Sequence, residues 1–293
     1  MEQKRLLSRF AINCLFLCIS AAMILPFILV ISISITDEKS LLKNGYQFIP
    51  KDFSLLAYEV IFKSPYQLIT SYGVTIFVTV IGTILSLLIT TLIAYTISRR
   101  DYRYRRMTTV YLMFTMLFSG GIIPMYILMT QYLHLGNTIW ALILPYLLNP
   151  FYVLIMKGFL DRIPFEVIQS AKIDGASEWQ IFIRIIIPLS TPALATVGLF
   201  TSFLYWNDWW LGLLFIDNQN LTPLQLLLYR IMNTIDFLAN NADTANVSID
   251  LSKFPSHSVR MAMAVLAAGP MMFVFPFFKR FFVKGITVGS VKE

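Results

Sequence analysis

Long uncharged stretches, rather than alternating polar and apolar positions, dominate this chain. From Phe10 to Thr36, 27 residues pass without a charged side chain. A hydrocarbon core of roughly 30 Å takes about 20 helical residues, so this stretch predicts one span with some tilt. It is too long for a signal-peptide core, and no small-x-small cleavage site follows Ile35. Lys63 and Arg99 bound a second stretch, with its apolar centre at Tyr72 to Ile97. The third, Met107 to Met156, is 50 residues long. As one helix it would reach roughly 75 Å, over twice the membrane. It must fold back, and His134-Leu-Gly-Asn137 supplies the turn. Ile185 to Asn207 gives a fifth span that continues to about Ile216, and Met261 to Phe278 gives a sixth. The pattern predicts an all-α integral membrane protein, one transmembrane domain over residues 1–293. Its six transmembrane helices fall at about 10–36, 72–98, 107–133, 138–156, 187–216 and 258–283. An inner loop at 157–189 and an outer loop at 217–257 are its longest hydrophilic sections along with 37–71.

Composition agrees. Hydrophobic residues make up 57% of the chain and charged ones 13%, about half the charged share of soluble domains. The mean hydropathy is +0.69. Lys and Arg set the orientation. With both termini in the cytoplasm, sixteen basic residues fall inside and seven outside. The net charge of +7 therefore belongs to the inner membrane face and gives no reason to expect a nucleic-acid partner. Two cysteines, Cys14 and Cys18, lie four apart in the first span and read as small buried hydrophobes. With two histidines, they leave little material for a disulfide scaffold, a zinc site or a Cys/His catalytic pair. There is no phosphate-binding glycine loop, no H-E-x-x-H and no G-x-S-x-G. A six-span protein without an engine is a channel, a secondary carrier, an unfamiliar membrane enzyme, or the permeation subunit of a pump driven by another chain.

The inner loop separates these. Pro164 can start a helix, and Phe165 to Ile173 reads as a short amphipathic one. Asp174-Gly175 is a turn pair. Ser177, with Gln180 three residues on, is a capping box for a second helix over Glu178 to Ile187. Ser170, Ala171, Gly175 and Ala176 are small, which lets another protein approach the backbone closely. The periodicity alone equally suits an amphipathic helix at the lipid headgroups.

Ile-Asp-Gly-Ala-Ser at 173–177, followed by Ile-Ile-Ile-Pro-Leu ending at 189, resembles the "EAA" loop of ABC-importer permeases, in its carbohydrate-branch form. Ala171, Ile173, Asp174, Gly175, Ala176, Ser177, Phe182, Ile185, Pro188 and Leu189 match that pattern. Ser170 stands for a small Ala. The signature Glu falls on Gln169, which keeps the length and loses the charge; Glu166 lies one turn earlier. Phe118-Ser-Gly-Gly-Ile-Ile-Pro124, Trp206-Asn-Asp-Trp209 and Phe275-Pro-Phe-Phe-Lys-Arg-Phe-Phe-Val-Lys-Gly285 resemble the oligosaccharide permeases related to the maltose system.

The resemblance implies a type I importer permease in a prokaryotic plasma membrane, without catalysis of its own. It implies a second, homologous permease subunit, a cytoplasmic ATPase dimer that holds the ATP and Mg, an extracellular solute-binding protein, and surrounding membrane lipid. This chain itself would bind no cofactor. Docking to the ATPase would fall to Glu166, Gln169, Ser170, Ala171, Asp174, Gly175 and Ala176, with Trp179 and Phe182 as packing anchors. Asp208 is the only carboxylate in a predicted span, and Tyr205, Asp208, Trp209 and Gly212 would share a helical face. Aromatic planes beside acceptors suit sugars, which makes Tyr205, Trp206, Asn207, Asp208 and Trp209 candidates for the substrate pathway. Tyr146, Asn149 and Tyr152 on the fourth span are further candidates. Asp208 reads either as pore-lining or as an anchor at the outer interface, about 28 Å along a helix from Leu189. Gly120, Gly121 and Pro124 can bend the third span. The expected cargo is a carbohydrate, an oligosaccharide; a non-sugar solute, or a stand-alone secondary carrier, is the alternative.

Overall fold

A computed structural model describes residues 2–240 and 255–289. Apart from a single bridge between Thr36 and Phe53, the described residues are helices, turns and loops. The chain divides into two compact units. One holds Met1–Tyr66 with Leu228–Pro270, the other Gln67–Leu227 with Met271–Glu293.

In the first unit, α1 (Glu2–Ser34) continues past Pro26, and it is buried within the chain only at its end, at Ser32, Ile33 and Ser34. The segment after it is ordered by short α2 (Glu38–Asn44) and α3 (Leu56–Ile61). Ser54 N–H donates to the Ile35 carbonyl at 3.0 Å, and Asp37 N–H to that of Asp52 at 2.9 Å. Glu38 is buried at 5% exposure. Its carboxylate accepts from the backbone N–H of His257 at 2.9 Å and of Ser258 at 3.1 Å, and from the Ser258 hydroxyl at 3.0 Å. It thereby caps the free N–H groups at the start of the last helix, where a negative charge is favoured.

In the second unit, α4 (Pro65–Ser98) is 34 residues without a break. Ser71, Thr75, Thr79, Thr83, Ser86 and Thr90 lie on one buried face of it. Thr75 Oγ1 accepts from Leu224 N–H at 2.8 Å; the other five hydroxyls have no partner among the described residues. Such small residues let helices pack closely. At Gly82, a Cβ would lie 2.6 Å from the Tyr205 ring, so only hydrogen fits there.

The third predicted span is not one rod. α5 (Arg105–Leu117) and α6 (Ile122–Ile127) meet at 107°. Gly121, at φ +89°, adopts a left-handed conformation that a side chain would oppose. A π turn, Leu128–Tyr132, follows. His134 and Asn137 both have positive φ in the expected turn. Asn137 Oδ1 accepts from the N–H of Asp217 at 2.6 Å and of Asn218 at 3.0 Å, tying the turn down. The fourth predicted span is also split, into α7 (Trp140–Ile143) and α8 (Pro150–Leu160), bent by 51° across a stretch holding Pro145.

Beyond the inner loop come α9 (Phe165–Ile173), α10 (Glu178–Ile181), a π turn at Phe182–Ile186, α11 (Ile187–Leu189) and α12 (Thr191–Trp206). The second inner helix, expected over Glu178 to Ile187, is present and runs on to Leu189, with a π-helical stretch at Phe182–Ile186. The chain bends 78° at Ser190, with Pro188 and Pro192 on either side removing backbone donors. The fifth predicted span does not run on to Ile216 as one helix: α13 (Trp210–Phe215) is separate. Two longer helices, α14 (Leu224–Asn240) and α15 (Ser256–Gly289), complete the chain. α14 begins inside the stretch predicted as an outer loop at 217–257. Three helices can cross a membrane unbroken, or up to six segments if each bent pair counts as one span.

Placing a methyl group at Gly82 tests the close approach. Gly82→Ala should lower stability by about 1–3 kcal/mol, the usual cost of overpacking. Adding Tyr205→Leu should recover part of it. Thermal unfolding in detergent measures both.

Candidate functional site

The inner helix–bend–helix is built by local rules. Pro164 precedes α9, and its fixed φ of −56° leads into the first turn. Ile168 and Ala171 face inward at 7% and 8% exposure. Gln169 and Ser170 stand outside with Glu166. At the end of α9, Ala176 N–H donates to the Ala171 carbonyl at 2.9 Å, and Gly175 N–H to that of Lys172 at 3.0 Å. With Gly175 at φ +80°, this is a Schellman motif. The Asp174-Gly175 turn is thus a helix cap that requires glycine. The capping box is present in both halves: Gln180 N–H donates to Ser177 Oγ at 3.3 Å, and Ser177 N–H to Gln180 Oε1 at 2.9 Å.

Among the candidate docking residues, Glu166, Gln169, Ser170, Asp174, Gly175 and Trp179 are exposed, and Ala176 is half-buried. Ala171 and Phe182 are not at the surface. Phe182 is 4% exposed, stacked on Trp179 at 5.6 Å and tilted against Tyr95 at 5.5 Å. Its anchoring is to its own chain, in a cluster with Ile97, Met156, Ile181 and Ile186. Nothing crowds the position a Gly175 side chain would take. Ile173 ends α9 with 86% of its surface exposed, an apolar side chain beside the bend. Sequence reasoning matched it to the motif without assigning it a contact.

A charged cluster behind the bend went unread in the sequence. Arg99, only 7% exposed, pairs with Asp101 at 2.8 Å and with Glu178 at 3.2 Å. Lys172 reaches Glu178 at 2.7 Å and Asp101 at 3.2 Å. Tyr95 Oη donates to Glu178 Oε2 at 2.9 Å. The Arg99 hydrogen bond, aided by Lys172, holds the Asp101 carboxyl below its ordinary range. The bond to Glu178, aided by Asp101, raises Lys172. No local spacing joins residues 71 to 83 apart, so the signal lay only in the charges themselves.

The second candidate region lies at the other end of α12. The shared helical face of Tyr205, Asp208, Trp209 and Gly212 does not exist, because α12 ends at Trp206 and α13 begins at Trp210. Asp208 instead caps α13, accepting from Leu211 N–H at 3.2 Å, and receives the Tyr146 hydroxyl at 2.9 Å. Tyr205 Oη donates to the Ile143 carbonyl at 2.8 Å, and its ring meets that of Tyr146 edge-on at 6.0 Å. A backbone acceptor and a half-buried carboxylate are thus both satisfied by tyrosines. Tyr146 and Asn149 also line an open cleft of about 330 Å³, together with Met116, Leu148 and Leu204. Asn149 caps α8 through Phe151 N–H at 3.0 Å. The remaining candidates lie apart: Tyr152 against Phe151, Trp206 buried at 4% exposure, Asn207 bonded to the Phe203 carbonyl at 2.9 Å, and Trp209 edge-on to Trp210 at 5.5 Å. Among the described residues there is no group of His, Cys, Asp and Glu that could hold a metal ion.

A bent-span helical protein with a capped helix–bend–helix at its inner loop has relatives. The family described as binding-protein-dependent transport system inner membrane component matches residues 86–288, and the chain belongs to it. It is an inner-membrane transport permease. It is 40% identical over 281 residues to Protein LplC of Bacillus subtilis (strain 168), covering 96% of this chain and 93% of that one. It is 39% identical over 269 residues to the polygalacturonan/rhamnogalacturonan transport system permease protein YtcP of the same organism, covering 92% of each. Among solved structures, a crystal structure of a bacterial ABC transporter involved in the import of the acidic polysaccharide alginate superposes with a TM-score of 0.78. That match has 26% identity and covers 96% of this chain and 98% of the other.

Two outcomes test these sites. Asp208→Ala strands both the Tyr146 hydroxyl and the Leu211 N–H, so it should cost about 1–3 kcal/mol in detergent melts, and Asp208→Asn less. Asp101 has a depressed folded pKa, so its stabilisation is present above about pH 4 and lost as pH falls through the folded value. Lys172 has a raised one, so its share is present below about pH 10 and lost as pH rises through the folded value. The melting-temperature difference between wild type and Asp101→Asn should be constant from about pH 5 to 9 and shrink at the acid end.

Proposed function

We propose that this chain is the membrane-spanning permease subunit of an ATP-driven importer for a carbohydrate, an oligosaccharide derived from a larger polymer. In this reading the three unbroken helices and three bent pairs make six spans, with both termini on the cytoplasmic side. The basic residues of the inner segments favour that orientation. A second permease would complete the pore, two ATPase subunits would supply the power, and a binding protein would deliver the sugar from outside. The chain does no chemistry itself. Its relatives include a permease for polygalacturonan and rhamnogalacturonan and a transporter for alginate, which supports a glycan cargo.

The observation that carries the reading is the exposed bend at Gly175. It is capped at both sides, so it is stiff, and open in front, so another protein can reach it. A stiff knob is what rigid-body transmission between subunits needs. Ile173 and Trp179 offer apolar contact area beside it, at 86% and 58% exposure. Gln169 at the signature position implies that docking here uses shape and apolar contact more than a carboxylate.

Gly175→Trp adds bulk at the front of the bend and strains its left-handed backbone. Co-purification of the tagged chain should bring a second permease and an ATPase with wild type, and the permease alone with the variant. Recovery of no ATPase with folded wild type would sink the reading. Loss of the corresponding operon's labelled oligosaccharide uptake in cells carrying the variant is the matching transport readout.

A further inference from the structure

The direct route from the bend into the membrane is a compliant one. The helix Glu178–Leu189 is loosened by a π-helical stretch at Phe182–Ile186, and the chain then bends 78° before α12 begins. The other helix pairs of this unit are bent as well, α5 with α6 by 107° and α7 with α8 by 51°. Only α4 runs unbroken for a span's length between Gln67 and Leu227. A push applied at the bend is best passed on by a continuous rod, because every break absorbs motion in its own dihedrals.

A short side route joins the bend to that rod. Lys172 belongs to α9 and Glu178 to the first turn of α10, so one charge comes from each limb of the bend. Glu178 meets Arg99 and Lys172 meets Asp101, and these two partners lie within three residues of Ser98, the last residue of α4. Tyr95, one turn back on α4, bonds Glu178 as well. Arg99 is 7% exposed, so the contact encloses a desolvated cation and is costly to open. Exposed ion pairs taken singly would hold little; a closed circuit around a buried charge holds more.

We infer that Arg99, Asp101, Lys172 and Glu178 form a clip that fixes the helix–bend–helix to the inner end of α4, and that ATPase-driven movement enters the membrane chiefly through α4. The inference rests on the reading that the bend docks an ATPase. These four are positioning residues, since they touch neither nucleotide nor sugar.

The test uses the complete transporter in lipid nanodiscs. Cys14→Ser and Cys18→Ser remove the two free thiols. Spin labels are placed at Ile69, exposed near the start of α4, and at Leu117, exposed at the end of α5. Pulsed electron–electron resonance gives their distance with and without ATP, alongside ATP hydrolysis. Wild type should show an ATP-dependent shift of several ångström. Glu178→Gln and Lys172→Met should keep the ATPase bound and hydrolysing while cutting that shift to about a third or less, and Lys172→Arg should retain it. An undiminished shift in both charge-removing variants overturns the clip, as does a wild type that hydrolyses ATP with no shift. Loss of the ATPase from the variants also overturns it, because the cluster would then shape the docking surface and not transmit. Wild type that brings no ATPase fails at the earlier step and refutes the docking reading itself. Lys172 is partly exposed, so its variants remain informative should Glu178→Gln fold poorly.

Discussion

A guanidinium removed from water must be met by negative charge, and the helix–bend–helix is arranged around that requirement. Arg99 sits just past the end of a long apolar helix, almost wholly enclosed. Its own loop supplies one carboxylate and a segment some eighty residues away supplies the other. The Tyr95 ring lies under the cation, its centroid 5.6 Å from Arg99 Cζ, and packs against Phe182. From Phe182 the apolar cluster continues through Ile181 and Ile186 into the start of the following span. Neutralising one buried charge thus positions two helices, a bend and a core.

A second constraint comes from the broken spans. Each interruption of a helix leaves backbone groups without partners, and lipid cannot supply them. The chain answers with side chains that cap. Asp208 covers the start of α13, Asn149 the start of α8, Ser177 the start of α10 and Glu38 the start of the last helix. Tyrosines serve the leftover acceptors, as Tyr205 does for Ile143. Polar residues that looked like sugar ligands in a linear reading are therefore already occupied in holding helix ends. Tyr146 and Asn149 keep both characters, since they also line an open cleft.

How far the sequence could be read follows from how local each signal is. The bend was legible almost to the residue, because a proline, a glycine and a capping box act within a few positions. The turn at His134 to Asn137 was legible for the same reason. The breaks were half legible: Gly120, Gly121 and Pro124 marked the third span, while nothing in the composition of 187–216 betrayed a stop at Trp206. Apolar residues suit a continuous helix and two short ones equally, so the face shared by Asp208 and Tyr205 was an artefact of assuming continuity. The Arg99 cluster was illegible, since its members are joined only by the fold.

The row of hydroxyls along α4 gains meaning beside the clip at its end. Five of them bond to nothing among the described residues, so that face of the rod is smooth in the hydrogen-bonding sense. A helix gripped by charges at one tip and held along its hydroxyl row by the Thr75 bond alone behaves as a lever. At 34 residues it is about 50 Å long. A tilt of about 5° at the gripped tip would displace the far one by roughly 4 Å, about the width of a sugar ring, and among that row of hydroxyls only the Thr75 bond to Leu224 would resist it.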